Sequence, residues 1–306
     1  MKTVWLCLSI ALLGWNQAQA QVVNWRAVWG VTGEVQAIHE EYRKLPPTGD
    51  EATALPPTYR LEITFNRQGG LVSRTLQDSP WARTCEQFQP DALGRPAAAE
   101  IHAEYYALKP LVFWRYWLTA PYLKERKLVN RLVIKYDERH RIVEQSTFKP
   151  DGTLVRQSRY RYDNLLQVID TYDGDENLVW RESKLFDAQG RLLESGALSA
   201  NNEVKQKMVY EYSAQGPRQR LTIYDGAGLT TDRLHYDEHG EPLEHWQYDP
   251  QGKQTSLTNG SFEYDEQGNW RKAAWTTEVR LPGKTSVTKS VTYRRLKYFP
   301  TQGNRE

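Results

Sequence analysis

The sequence is poor in sulfur, with two cysteines and two methionines among 306 residues. Cys7 lies in the N-terminal apolar run. Removal of that run leaves Cys85 alone, and one thiol cannot close an intrachain disulfide. Neither sign of charge is in excess, with 40 Lys and Arg against 38 Asp and Glu. Near neutrality gives no support for a general nucleic-acid-binding surface, so no nucleic-acid partner is expected. Long hydrophobic runs are missing beyond the first twenty residues, and mean hydropathy is -0.73. This excludes a polytopic helical membrane protein, while 39% hydrophobic residues exclude a highly charged disordered chain. No nucleophile elbow, P-loop, dinucleotide fingerprint or His-Glu-x-x-His motif occurs. What is abundant is aromatic: 11 Trp and 18 Tyr.

Residues 1–20 carry Lys2 as their only charge, then an apolar run from Val4 to about Trp15, then the small-x-small step Ala18-Gln19-Ala20. This is the pattern of a secretory signal peptide, and its apolar run is shorter than the ~20 residues that a spanning helix needs. The expectation is an exported chain that begins at Gln21, lies in the periplasm or outside the cell, and has no membrane span after cleavage.

From residue 136 an aromatic residue keeps returning in front of a turn. Five copies read aromatic-Asp-x-x-Gly in full, with Asp187 and Gly190, Asp225 and Gly228, Asp237 and Gly240, Asp249 and Gly252, and Asp265 and Gly268. Degenerate copies place His140, Leu166 and Glu176 where Gly stands elsewhere, and Asn201-Asn202 marks a further turn. Asp suits the first position of a type I turn, because its carboxylate accepts a backbone N–H two residues on. Gly suits the last, where it takes positive φ and closes a hairpin through a bulge. The anchors repeat mostly at 12 residues, which leaves about eight residues, or roughly 26 Å, of strand per unit.

Period-2 alternation supports strands. Ile134, Tyr160, Tyr210, Leu234, Trp246 and Phe262 stand two residues before an anchor, and Lys135, Arg161, Glu211, His235, Gln247 and Glu263 stand one before it. Around Tyr224 the apolar Leu221 and Ile223 fall in the opposite phase, which predicts a shift of face, a bulge or a register change. The predicted fold is all-β: a curled antiparallel meander of hairpin repeats at 131–298, preceded by a less regular N-terminal cap with opening strands at 21–130 and followed by a tail at 299–306. Whether the sheet closes stays open at this level.

The stretches FDAQGRLLESG at 186–196, YDEHGEPLEHWQYDPQG at 236–252 and YDEQGNW at 264–270 resemble the YD repeats of the RHS family. The resemblance covers about 136–298 and reaches back to a degenerate copy, FNRQGG, at 65–70. Large members coil such repeats into a shell around a toxic C-terminal domain. This chain has too few repeats for a full shell and no identifiable cargo or self-cleavage region. It is more similar to short, exported YD-repeat proteins. That resemblance implies a repeat scaffold and carries no toxin delivery.

In the first half, 45–59 and 80–96 read as loops. The Ala run after Pro96 favours a helix over 96–108, with a strand as the alternative because of Tyr105 and Tyr106. The segment 111–122 concentrates aromatic residues, as a buried plug or as an exposed platform. Trp114, Tyr116 and Trp117, with Trp246 and Trp270 from the repeats, form the candidate binding surface for an envelope glycan or protein partner. No cofactor or metal is expected. His235, His239 and His245 share one hairpin and would suit a metal, but they occupy positions that hold solvated residues in other repeats. The leading expectation is a non-enzymatic binding module. The rival is an envelope hydrolase using Cys85 or the His235/His239/His245 hairpin, with an immunity-like protein as a third reading.

Overall fold

The computed structural model describes residue 29 and residues 31–300 apart from 47, 52–56, 80, 81, 114, 115 and 215; of residue 78 and residues 107–122 it describes no side chain. Its regular elements are eighteen strands. The first six are β1 (Val35–Leu45), β2 (Tyr59–Phe65), β3 (Leu71–Ser79), β4 (Ala82–Pro90), β5 (Pro96–Phe113) and β6 (Tyr116–Tyr136). Then follow β7 (Ile142–Phe148), β8 (Leu154–Asp163), β9 (Leu166–Asp173), β10 (Leu178–Phe186), β11 (Leu192–Ser199) and β12 (Val204–Tyr212). The last six are β13 (Arg218–Asp225), β14 (Thr230–Tyr236), β15 (Pro242–Tyr248), β16 (Gln254–Tyr264), β17 (Trp270–Leu281) and β18 (Lys284–Tyr298).

Each strand pairs antiparallel with the next, and β18 pairs back onto β1. Ile38 of β1 thus has Leu296 on one side and Ile63 on the other. The all-β antiparallel expectation holds, but the curled ribbon is a closed barrel. Closure removes both free edges of the ladder, which would otherwise recruit other chains.

Two expectations for the first half change, the helix at 96–108 and the loop at 80–96. The opening strands of the first half are β1 to β6, over 35–136, in the same ladder as the rest. The helix expected at 96–108 is β5, whose Ala99 pairs with Phe88 and Leu132 on its two sides. Pairing on both edges overrides the helix preference of an Ala run. The loop expected at 80–96 is mostly β4, with a tight turn at Asp91–Gly94. The loop expected at 45–59 falls between β1, which ends at Leu45, and β2, which begins at Tyr59, and residues 47 and 52–56 lie outside the described residues. The basic run at 124–131 lies in β6, and β7 covers that strand only from Arg131 onward.

The turns follow the chemistry read from the sequence. In the hairpin after β10, Gly190 N–H donates to Asp187 O at 2.9 Å, and Asp187 N–H donates to Arg191 O at 2.9 Å. The Asp187 carboxylate accepts the N–H groups of Gln189 and Arg191 at 3.0 and 2.8 Å. Gly228 has φ +81, whereas His140, Glu176 and Asn202 adopt φ 61, 63 and 61 with a side chain attached. Asn164 also has positive φ, 49, because the hairpin after Tyr162-Asp163 is a two-residue connection and not the four-residue turn of the other copies. A Cβ on Gly228 would meet nothing within 4 Å, so its conformation alone opposes substitution. Gly228→Ala is expected to lower stability by about 1 kcal/mol and Glu176→Gly to raise it by about 0.5–1 kcal/mol. Urea unfolding of the two variants checks the pair of signs.

Successive turns lie at opposite ends of the barrel. This explains the phase change at Tyr224. Anchors at one end, such as Tyr136, Tyr162 and Tyr212, point inward. Those at the other, such as Tyr172, Tyr224 and Tyr248, sit on the outer face, where Arg159 covers Tyr172 and Arg233 covers Tyr248.

The outer face carries cross-strand ion pairs around the wall. They include Lys135–Glu144, Arg161–Asp170–Arg181, Lys207–Glu194, Arg220–Glu211, Lys272–Glu263 and Arg60–Glu41. The inner face holds two apolar clusters. One joins Ile38, Leu61, Ile63, Phe65 and Leu71 with Trp29 and Val31; the other joins Phe186, Leu192, Tyr210, Leu221 and Ile223. Each fully buried aliphatic side chain contributes about 1.5–3 kcal/mol. Between the clusters the inner face is polar, with Ser158–Thr171, Thr258–Thr277, Glu182–Lys184 and Asp232–His245 contacts. On the same inner face Trp180 stays 39% exposed.

Candidate functional site

One end of the barrel is built from a repeated side-chain unit. Asp91, Asp137 and Asp187 each hold the Arg four residues on, with Nε–Oδ2 distances of 2.7, 2.8 and 2.6 Å. Each Arg then lies over the tyrosine of the next turn at that end. Arg95 covers Tyr136, Arg141 covers Tyr162 and Arg191 covers Tyr212, at 4.1, 4.3 and 4.9 Å from the ring centroids. Each tyrosine hydroxyl donates to the backbone carbonyl after that Arg, at Pro96, Ile142 and Leu192, each at 2.8 Å. Asp turn, Arg and Tyr thus tie neighbouring hairpins into a rim. The Arg escaped the sequence reading, although it follows the turn directly in Asp91-Ala-Leu-Gly-Arg95 and Asp187-Ala-Gln-Gly-Arg191.

The rim departs from this pattern beside the closing seam. Glu241 stands where the turns at Asp91, Asp137 and Asp187 place Arg, and the turns on either side of it have Pro217 and Asn269 there. Its neighbour Tyr264 donates to the Asp237 carboxylate instead. Burial pushes the Glu241 carboxyl up to about 7, opposed by Arg294 and Arg218 and reinforced by Asp237 and Glu40. Arg294, only 7% exposed, holds Glu40 across the β1–β18 seam through Nε at 2.8 Å and Nη2 at 2.6 Å, and its guanidinium lies 3.6 Å from the Trp270 ring centroid. Its Nη1 has no hydrogen-bond partner among the described residues, and neither does Nε of Arg218, which covers Tyr210 and Tyr236.

On the outer side of the same seam a cavity of about 560 Å³ opens against β1, β18, β17 and β16. Glu263, Lys272, Tyr293 and Glu41 form a cross-strand row beside it. Glu51, from the connection between β1 and β2, accepts from Lys272 Nζ at 2.8 Å and from the Tyr293 hydroxyl. Those two contacts hold the Glu51 carboxyl below the usual carboxylate range.

Of the residues singled out in the sequence, those whose side chains are described do not converge. Trp114 lies outside the described residues, as do the side chains of Tyr116 and Trp117 in β6. Trp246 is half-buried on the outer face, edge-on to His235 with centroids 4.6 Å apart. Trp270 is 8% exposed beneath Arg294, so it offers no platform to a ligand. Cys85 is a buried free thiol, and burial pushes its pKa up, away from a reactive thiolate. The three histidines diverge. His245 faces inward to Asp232 at 2.7 Å, His235 faces outward near Glu244, and His239 lies against the Tyr264 ring. Among the described residues no group of three or more His, Cys, Asp or Glu is placed to hold a metal ion.

Fold and site together define a closed antiparallel barrel with charges on its outer wall and a tyrosine-arginine rim. No family model matches the chain, and no curated protein does. Among solved structures it is similar to a porin-like protein from Bacteroides uniformis, at 7% identity and a TM-score of 0.43, over 87% of this chain and 99% of that one. A porin-like protein from Bacteroides vulgatus matches at 13% identity and a TM-score of 0.28, over 87% of this chain and 99% of that one. A LolA superfamily protein from Nitrosomonas europaea matches at 10% identity and a TM-score of 0.22, over 89% of each chain.

Proposed function

We propose that this chain is a short, exported protein of the YD-repeat kind that acts as a non-enzymatic binding module in the cell envelope, for a glycan or a protein partner. The observation that carries this reading is the charged outer wall. A barrel that spans a membrane presents an outward apolar band about 25 Å tall, and here ion pairs occupy that face from β1 to β17. Such a wall suits water and suits polar ligands. The aromatic-Asp-x-x-Gly turns, each built through the same carboxylate-to-backbone contacts, favour kinship with YD repeats. The separation of His235 from His245 and the burial of Cys85 weigh against the hydrolase alternative.

The test is affinity capture by the chain from Gln21 on, from envelope extract, run beside a panel of cell-wall polysaccharides. Retention of a defined glycan or protein, displaced by excess free chain, is the expected result. Fractionation of the chain with the membrane as an integral protein, resistant to carbonate extraction, would contradict it.

A further inference from the structure

The cavity on the outer seam has an unusual lining. Arg43, Arg271, Lys272 and Arg295 contribute four cationic groups from the outer face, against the two carboxylates Glu41 and Glu263, and Arg294 borders the cavity from the inner face. Arg294 is already neutralised from the inner side by Glu40, and Glu41 is shared between Arg43 at 2.8 Å and Arg60 at 3.1 Å. Lys272 has Glu263 at 3.2 Å. That leaves Arg271 and Arg295 as cationic lining for which no ion pair is assigned among the described residues. Tyr293 stands beside these cations with its hydroxyl directed to Glu51.

Glu51 shows what the site accepts. Its carboxylate receives one hydrogen bond from an ammonium group and one from a phenol, a charge-assisted pair of the kind that recognises a carboxylate ligand. Among the described residues none that lines the cavity is aliphatic, and its outward aromatic side chain is Tyr293, since Tyr264 turns to Asp237 at the rim. A groove for an extended peptide carries apolar pockets for alternate side chains. A ring and a hydroxyl beside cations match a sugar that bears a carboxylate. The volume of about 560 Å³ falls within the range of small-ligand sites.

We infer that the outer seam cavity binds the carboxylate of an acidic sugar, with Lys272 and Tyr293 holding the carboxylate where Glu51 now sits, and Arg271 and Arg295 facing the rest of the ring. This rests on the binding-module reading and specifies its ligand class. Glu51 then competes with the ligand.

The test is isothermal titration of the chain from Gln21 with trigalacturonate, with its fully methyl-esterified neutral form, and with a short poly-glutamate. Trigalacturonate is expected to bind and the ester to fail. Lys272→Ala and Arg295→Ala are each expected to weaken binding at least fivefold, and Glu51→Gln to strengthen it severalfold. Circular dichroism of each variant establishes that it is folded. Equal binding of the ester, binding of poly-glutamate alone, no binding of trigalacturonate, or folded variants with unchanged affinity would each overturn the inference. The envelope capture experiment reports separately: its failure alongside trigalacturonate binding would remove the envelope role and leave the site.

Discussion

Arg294→Met is expected to destabilise the barrel by roughly 3–5 kcal/mol, the magnitude that follows when one partner of a buried ion pair is removed. Glu40 would remain buried at the β1–β18 seam with its charge uncompensated, and Trp270 would lose the guanidinium stacked on it. The companion variant separates the pair from its parts. Glu40→Leu combined with Arg294→Met removes both charges and fills the space with apolar atoms, so it should recover much of the loss. Equilibrium urea unfolding of both proteins measures the coupling. A double variant as unstable as Arg294→Met alone would mean that Arg294 acts through its packing on Trp270 and not through Glu40.

Glu241→Gln is expected to change how stability depends on pH. The folded chain holds the Glu241 proton up to about 7, against an ordinary value of 4.5. Below the ordinary value the group is protonated in both folded and unfolded chains and has no effect. As pH rises from there to the folded value, the unfolded chain ionises first and the folded state loses stability. Above the folded value the whole penalty is present. The groups that face it are Arg294 of β18, Arg218 of β13, Glu40 of β1, and Asp237 and Tyr264 at the rim. The variant should therefore match the parent at pH 4 and exceed it by about 1–3 kcal/mol at pH 8, allowing for partial exposure of the group. Urea midpoints at the two pH values decide it, and equal midpoints for parent and variant at pH 8 would show that Glu241 ionises without penalty.

The hairpins were legible in the sequence because each turn carries its own chemistry within five residues. Asp187 binds backbone N–H groups two and four positions on, and Gly190 takes the positive φ, so local pattern and local structure coincide. The alternating faces were legible in part: Leu221 and Ile223 carry the change of phase, whereas Trp246, grouped with the apolar face, lies on the outer one. The use of the tyrosines was not. A strand-end aromatic reads as apolar cover, whereas Tyr162 also spends its hydroxyl on Ile142 and its ring on Arg141, some twenty residues earlier in the chain. Closure was illegible for a related reason. It rests on Ile38 meeting Leu296 and Glu40 meeting Arg294, contacts between the two ends of the chain with no local signature. The Ala run of β5 misled because helix propensity is a weak prior beside two neighbouring strands. The seam cavity combines residues of β1, β16, β17 and β18 with Glu51, and no spacing rule connects them.

The measurement that bears most directly on the closed barrel is a crosslink across its seam. His39 and Arg295 are direct partners on β1 and β18, and Thr277 and Thr288 are partners on β17 and β18. Cysteines are placed at one pair or the other in a Cys85→Ser chain that begins at Gln21, followed by mild oxidation at low protein concentration and mass spectrometry of the peptides. Paired strands bring Cα atoms within the range that a disulfide spans. The closed barrel predicts an intramolecular bond at both pairs. A bond at 277–288 with none at 39–295 would mean that the two ends of the ladder never meet, and that the sheet is an open ribbon.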